Sequence, residues 1–411
     1  MFYVVNDMRN LTHIEGGVTA AAGFKAAGVE ATVKYASRKD MALLVADEPC
    51  AVAALYTSNK VAAAPVVIDR ERSASGVAQA VVINSGNANA CTGLLGLQDA
   101  REMGRLTAAA LGIDQSLVLV CSTGVIGVHL PMDKIATGVK KAAAALSHDG
   151  GHNAACAIMT TDTVKKEVAI ELEIDDKRIV IGGMAKGSGM IEPNMATMLA
   201  FITTDAVIAY GALDMALRAA VEISFNRIVV DGDQSTNDTV IAMASAKAGN
   251  RSLSQEHPGW ERFVDALKTL CVELAKKIVM DGEGATKFVT VKVSGAATAA
   301  DAQLVARAVA KSPLVKTSWF GVDPNWGRVI AAAGYSGAAV EEQHVQISIG
   351  GIVAYDQGRV AQTGELDAMR RAMKARFFEV EINLNLGQGC DTVFTCDLSH
   401  DYVSINAEYT T

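Results

Sequence analysis

The segment with the most chemical content runs from Lys186 through Gly-Ser-Gly-Met-Ile-Glu-Pro-Asn-Met-Ala to Thr197 and continues as Met198-Leu-Ala-Phe. A polar stretch bearing Gly and Pro ends at Ala196–Thr197, and an apolar run, Met198–Ile202, begins at once. A hydroxyl amino acid thus stands at the head of an expected strand, at the exit of a loop. That pattern suits a chain that cuts itself. The Thr197 hydroxyl attacks the Ala196 carbonyl, the ester is hydrolysed, and Thr197 becomes a new N-terminus. Its freed α-amine, with an intrinsic pKa of about 8, is near enough to neutrality to act as base for its own hydroxyl. Ala196 leaves the scissile carbonyl uncrowded, and Gly187 and Gly189 give the loop conformational latitude. Taken alone, a Thr heading a strand is an ordinary strand residue; the weight comes from what else the chain contains.

A second feature is Cys121-Ser-Thr-Gly-Val-Ile-Gly127. An apolar run, Ser116–Cys121, enters a Thr-Gly turn that presents backbone N–H groups and a hydroxyl at one point. Donors so placed stabilise a tetrahedral oxyanion by roughly 3–4 kcal/mol, although a plain strand-ending turn looks the same in sequence. The run Ala80–Ile83 likewise ends in a stretch dense in Asn, Ser and Gly, Ile83–Gly93, a common address for function.

These residues need a scaffold. Met41–Ala46, Ala80–Ile83, Ser116–Cys121, Arg178–Gly182, Arg227–Val230 and Phe288–Val293 read as strands, and Val164–Ile174 alternates as a half-exposed one. Gln98–Leu111, Asp133–Leu146, Tyr210–Ser224, Trp260–Lys277 and Ala299–Lys311 read as helices. Gly182–Met190 reads as a glycine-rich loop, and the last stretch as strands ending in Ile405-Asn-Ala-Glu-Tyr-Thr-Thr411. The mixture argues for a mixed α/β (α+β) fold of layered sheets flanked by helices. No internal repeat or Pro-rich linker marks a domain boundary.

Composition narrows the class. The 411 residues are 50% hydrophobic, with 37 basic and 45 acidic side chains and a net charge of −8, so a basic stripe for nucleic acid is not expected. Seven scattered cysteines, an odd number without a C-x-x-C pair, argue against a disulfide framework. The histidines lack metal-ligand spacing, so no metal is expected. No secretory leader or membrane span is read, and the expected compartment is the cytoplasm.

Lys186–Phe201 resembles the signature of the glutamate N-acetyltransferase (ornithine acetyltransferase, ArgJ) family. Tyr56–Val66, Ile83–Gly93, Cys121–Gly127, Ala157–Thr163, Asp231–Thr239, Asp281–Lys287, Ser318–Arg328 and the closing INAEYTT resemble further family blocks, in order along nearly the whole chain. Glu192, where a small residue is commoner, and Gln234, where Thr is, depart from the pattern without touching the expected nucleophile. The resemblance implies a DmpA/ArgJ-like self-processing fold, cleavage between Ala196 and Thr197 into an α chain (1–196) and a β chain (197–411), and an α2β2 assembly. It implies Thr197 as nucleophile, Thr123 and Gly124 as oxyanion hole, and Thr160, Lys186, Thr197, Glu283, Asn406 and Thr411 as substrate contacts, with Thr161 an alternative to Thr160. The implied reaction moves an acetyl group from N2-acetylornithine to glutamate by a ping-pong route without a cofactor; acetyl-CoA stays open as a second donor. By charge, Lys186 suits either the substrate carboxylate or the polarising of Thr197, and Glu283 suits the substrate ammonium. Asp231–Thr239 and Ser318–Arg328 read mainly as structural loops. The rival reading is an N-terminal-nucleophile amidase or aminopeptidase, which would pass the acyl group to water.

Overall fold

The computed structural model describes residues 11–34, 36–192 and 198–408. The expected cleavage residues Ala196 and Thr197 and the expected contact Thr411 lie outside the described residues.

Sixteen strands form two sheets among the described residues. The strands are β1 (Thr12–His13), β2 (Phe24–Val29), β3 (Met41–Tyr56), β4 (Val77–Asn87), β5 (Val118–Val125), β6 (Lys166–Ile174), β7 (Lys177–Lys186), β8 (Leu199–Thr204), β9 (Ile228–Val229) and β10 (Thr239–Ala244). They continue as β11 (Phe288–Ala296), β12 (Gln346–Ile349), β13 (Ile352–Asp356), β14 (Arg359–Val360), β15 (Phe377–Asn383) and β16 (Gly389–Cys396). The first sheet has nine strands in the order β1-β6-β7-β8-β10-β3-β4-β5, with β2 also paired to β3; the second has seven, β14-β13-β12-β15-β11-β16-β9.

The helices are α1 (Ala64–Ser73), α2 (Gly93–Leu111), α3 (Met132–Ala144), α4 (Gly151–Ala157), α5 (Tyr210–Glu222), α6 (Trp260–Met280), α7 (Ala299–Lys311), α8 (Pro313–Phe320), α9 (Trp326–Gly334), α10 (Thr363–Met373) and α11 (His400–Glu408). Strand side chains point alternately to opposite faces, and here both faces are covered. Ala200, Ile202, Val240 and Ala242 join the core beneath α5 and α6, while Leu199, Phe201, Ile241 and Met243 join the core beside α4. Two-sided burial explains why these strands are almost continuously apolar rather than alternating. The second sheet has its own core with α7, α8, α9 and α10, built wholly from residues 229–393.

The order of strands bears directly on the expected cut. β8 lies between β7, its antiparallel neighbour (Lys186 opposite Leu199), and β10, its parallel one (Thr239 opposite Leu199). Residues on the two sides of position 197 therefore share one sheet.

Three local expectations are corrected. The glycine-rich loop begins only after Lys186, because Gly182–Lys186 complete β7. There a Cβ at Gly182 would overlap the Gly17 carbonyl, so the glycine serves close backbone approach rather than a turn. Ser318–Arg328 is mostly helical: its ends belong to α8 and α9, and only the middle connects them. Ile405–Glu408 is the end of α11, not a strand.

Candidate functional site

The glycine-rich segment leaves the end of β7 and shares one cavity with the Thr-Gly turn at the end of β5, five strands away in the sheet order. β4 and β5 run parallel, with Ser85 opposite Thr123 and Gly86 opposite Gly124. Gly124 has φ 134°, and a Cβ there would overlap the backbone of Gly86 and Asn87. Only glycine permits this approach. The asparagines of the two loops fasten the turn. Asn237 donates from Nδ2 to the carbonyls of Ala88 (2.7 Å) and Ser122 (2.8 Å), and Asn84 accepts from the Ser122 hydroxyl at 2.6 Å.

Lys186 ends β7 only 2% exposed. Its Nζ donates to Thr160 Oγ1 at 2.8 Å and lies 3.8 Å from Asp162 Oδ2. Burial drives the Lys186 pKa down, against the pull of the Asp162 carboxylate. Asp162 is buried too, and burial alone would raise its pKa. The ammoniums of Lys186 and Lys166 and the Gly187 amide instead hold it well below the usual carboxylate range. Lys166, fully buried, bridges Asp162 and Asp281 at 2.6 Å each. Asp281 also accepts from the Thr163 hydroxyl and amide. This alternating row of charges satisfies the rule that buried ions must be paired.

Opposite Lys186 stands Glu283. Its amide donates to the Ser188 carbonyl at 3.0 Å, and its Oε2 accepts from Asn406 Nδ2 of α11 at 2.8 Å. A Cβ at Gly189 would overlap the Glu283 carboxylate, so this glycine makes room for the charge.

Thr123, Gly124, Thr160, Thr161, Lys186, Gly189, Glu283 and Asn406 line a single cavity of about 120 Å³, with Ser235, Thr236 and Asn237. Six of the residues expected from sequence thus meet in one place: Thr123, Gly124, Thr160, Lys186, Glu283 and Asn406. Both Thr160 and Thr161 face the cavity, but it is Thr160 that bonds Lys186.

Sequence reading placed Asp231–Thr239 chiefly as a structural wall, yet three of its residues line the cavity. Ser318–Arg328 supplies none of the lining residues named for it. Asp162, Lys166 and Asp238 lie inside segments singled out from sequence but were given no role of their own. Asp238 is fully buried and accepts the Met198 amide at Oδ1, 2.9 Å, next to the expected nucleophile. Burial holds its pKa well above the ordinary carboxylate range. The one available signal was a charge inside an otherwise small, polar loop. Of the two departures, Glu192 pairs with Lys311 at 3.2 Å and Gln234 bonds Ser58 at 2.8 Å, and neither lines the cavity.

Among the described residues no group of His, Cys, Asp or Glu is arranged to hold a metal ion, and no helix is long and apolar enough to cross a membrane. A cavity with one ammonium, one carboxylate and a Thr-Gly turn can pair the charges of a small zwitterion, chemistry that an acyl-transfer site on a layered α/β scaffold could use. A model of the ArgJ family matches residues 25–411, and the chain belongs to that family. It is 52% identical over 400 residues to the arginine biosynthesis bifunctional protein ArgJ of Symbiobacterium thermophilum, covering 97% of this chain and 99% of that protein. It is 46% identical over 410 residues to the protein of the same name from Halalkalibacterium halodurans, covering 99% and 100%. A crystal structure of ornithine acetyltransferase complexed with ornithine, from Mycobacterium tuberculosis, is 42% identical and covers 44% of this chain and 98% of that one, with a TM-score of 0.42.

Proposed function

We propose that this protein transfers the acetyl group of N2-acetylornithine to glutamate, yielding ornithine and N-acetylglutamate in arginine biosynthesis, and that it also accepts acetyl-CoA as donor for the same acceptor. The observation that carries this reading is the cavity that joins the Thr123–Gly124 turn to Glu283 and to Lys186, which stands opposite Leu199 at the head of β8. Membership of a family whose relatives are named as bifunctional arginine-biosynthesis proteins supports it.

The chain first cuts itself between Ala196 and Thr197. The hydroxyl of Thr197, its proton drawn to the freed α-amine, then adds to the acetyl carbonyl of the donor. The Gly124 amide and the Thr123 hydroxyl stabilise the oxyanion. Collapse expels ornithine, its nitrogen taking up the proton, and leaves an acetyl ester on Thr197. The α-amine of glutamate attacks that ester, and N-acetylglutamate departs with the hydroxyl restored. Lys186 holds the substrate carboxylate and Glu283, steadied by Asn406, holds the side-chain ammonium of the donor. No cofactor enters the cycle. The α (1–196) and β (197–411) chains stay together, as α2β2, in the cytoplasm.

The test is mass spectrometry of enzyme quenched during turnover, with N-terminal sequencing. The expected result is two chains, a new Thr197 terminus, and an added acetyl group on that residue. Full activity from an uncut 43 kDa chain, or acetyl on another side chain, would refute the reading. Thr197→Ala is expected to abolish both processing and transfer.

A further inference from the structure

The α-amine that serves Thr197 during acetyl transfer does not exist while the peptide bond is whole, so the first cut depends on how the chain on either side is held. Both sides are held by one segment. On the upstream side, Asp231 accepts the Met190 amide at Oδ2 (2.6 Å) and the Ile191 amide at Oδ1 (2.9 Å), and the Val230 amide donates back to the Ile191 carbonyl at 2.9 Å. Met190 has φ 58°, a left-handed conformation costly for a side-chain-bearing residue; the paired bonds from Asp231 hold it there. Tyr402 of α11 donates its hydroxyl to the same carboxylate at 3.3 Å. On the downstream side, Asp238 Oδ1 accepts the Met198 amide at 2.9 Å while the Thr239 amide donates to the Met198 carbonyl at 3.1 Å. Asp238 is itself fixed from behind, its carbonyl accepting the Thr57 amide at 2.9 Å. Between the two carboxylates, Asn237 reaches the Ser122 carbonyl and so ties the same segment to the Thr-Gly turn.

We infer that Asp231 and Asp238 are positioning residues for self-cleavage, a two-point clamp in which Asp231 holds Met190 and Ile191 before the cut and Asp238 holds Met198 after it. The inference rests on the proposed cut at Ala196–Thr197. It further requires that the two ends of the clamp differ once the bond is broken. Asp231 then holds a segment that no longer carries the nucleophile. Asp238 still holds the amide next to it.

The experiment follows processing of full-length precursor over time on denaturing gels and measures acetyl transfer normalised to the amount of cut chain, for wild type and three variants. Asp231→Asn replaces one acceptor oxygen by a donor facing an amide; processing is expected to slow at least tenfold, with turnover per cut chain falling no more than about threefold. Asp238→Ala is expected to lower both at least tenfold. Asp238→Asn keeps an acceptor for the Met198 amide and is expected to recover both rates to within about threefold of wild type. Thermal midpoints and circular dichroism identify a variant that fails to fold, and if Asp238→Ala does so, the Asp231→Asn and Asp238→Asn results still decide. Wild-type processing in Asp231→Asn and Asp238→Ala would overturn the clamp. Failure of Asp238→Asn to recover would show that charge rather than an acceptor matters and would overturn the positioning role. A wild-type chain that stays whole while active defeats the underlying reading instead, and the clamp with it.

Discussion

At the residue scale, the site is governed by an ammonium that burial makes reluctant to stay charged. Lys186 sits below its ordinary pKa because it has left water, and Asp162 is the anion that counters this. Removing that anion in Asp162→Asn leaves Lys186 near the Lys166 ammonium, so its pKa falls further. If cationic Lys186 holds the substrate carboxylate, the alkaline limb of the kcat/KM profile for N2-acetylornithine moves to lower pH; a limb that stays in place separates Lys186 from substrate charge. Glu283→Gln keeps the shape of the side chain and its bond to Asn406 while losing the anion. It is expected to raise the donor KM by about tenfold, the loss of one charge-assisted hydrogen bond, and steady-state kinetics with donor and acceptor varied separately would reveal it. Lys166 has the opposite function. It is fully buried between two carboxylates, so Lys166→Met leaves Asp281 without its ammonium and Asp162 with that of Lys186 alone. A loss of about 3–5 kcal/mol is expected, read from the midpoint of denaturant unfolding.

At the element scale, the ends of strands place the chemistry. β5 carries the Thr-Gly turn to the sheet edge because Gly124 lets two backbones touch where any side chain would collide. Gly124→Ala is therefore expected to push β5 away from β4 at that point and to lower kcat by about 10²-fold, the order seen when an oxyanion donor is lost, with the secondary structure unchanged by circular dichroism. α11 is an element of a different kind. None of its residues is buried, and it is joined to the body by Asn406 to Glu283, Tyr402 to Asp231 and the edge-on packing of His400 against Phe320. Ile405–Thr411 has no apolar stripe from which a helix could be read. The helical form of α11 depends on neighbours distant in sequence.

At the scale of the whole molecule, the proposed cut does not divide the protein along its cores. β8 belongs to the downstream piece yet is hydrogen-bonded on one edge to β7 of the upstream piece, and β10 is likewise paired with β3. Separating the pieces would open the first sheet at two places and expose Leu199, Phe201, Ile241 and Met243, all of which are buried. At roughly 1.5–3 kcal/mol for each large apolar side chain, these alone disfavour dissociation strongly. The two chains are expected to elute together on native gel filtration and to part only in denaturant. Free 1–196 chain under native conditions would contradict the shared sheet as the cause of their association.

Much of this was legible in the residues themselves. Apolar runs ending in glycine-rich stretches marked β4, β5 and β7, and the helices α2, α3, α5, α6 and α7 followed from their periodicity. The family blocks named Thr123, Gly124, Thr160, Lys186, Glu283 and Asn406, because residue types tied to one chemistry recur in recognisable local contexts. What sequence left undecided was partnership. Nothing local links Asp162 to Lys186, Asp231 to Met190, or Asp238 to Met198: the first contact follows from the pairing of β6 with β7, the second brings the end of β9 in the second sheet to the loop after β7, and the third needs β10 beside β8. A strand's composition records that it is buried but not which strand buries it, and the site's charges acquire their pKa values and their roles from that choice of neighbour.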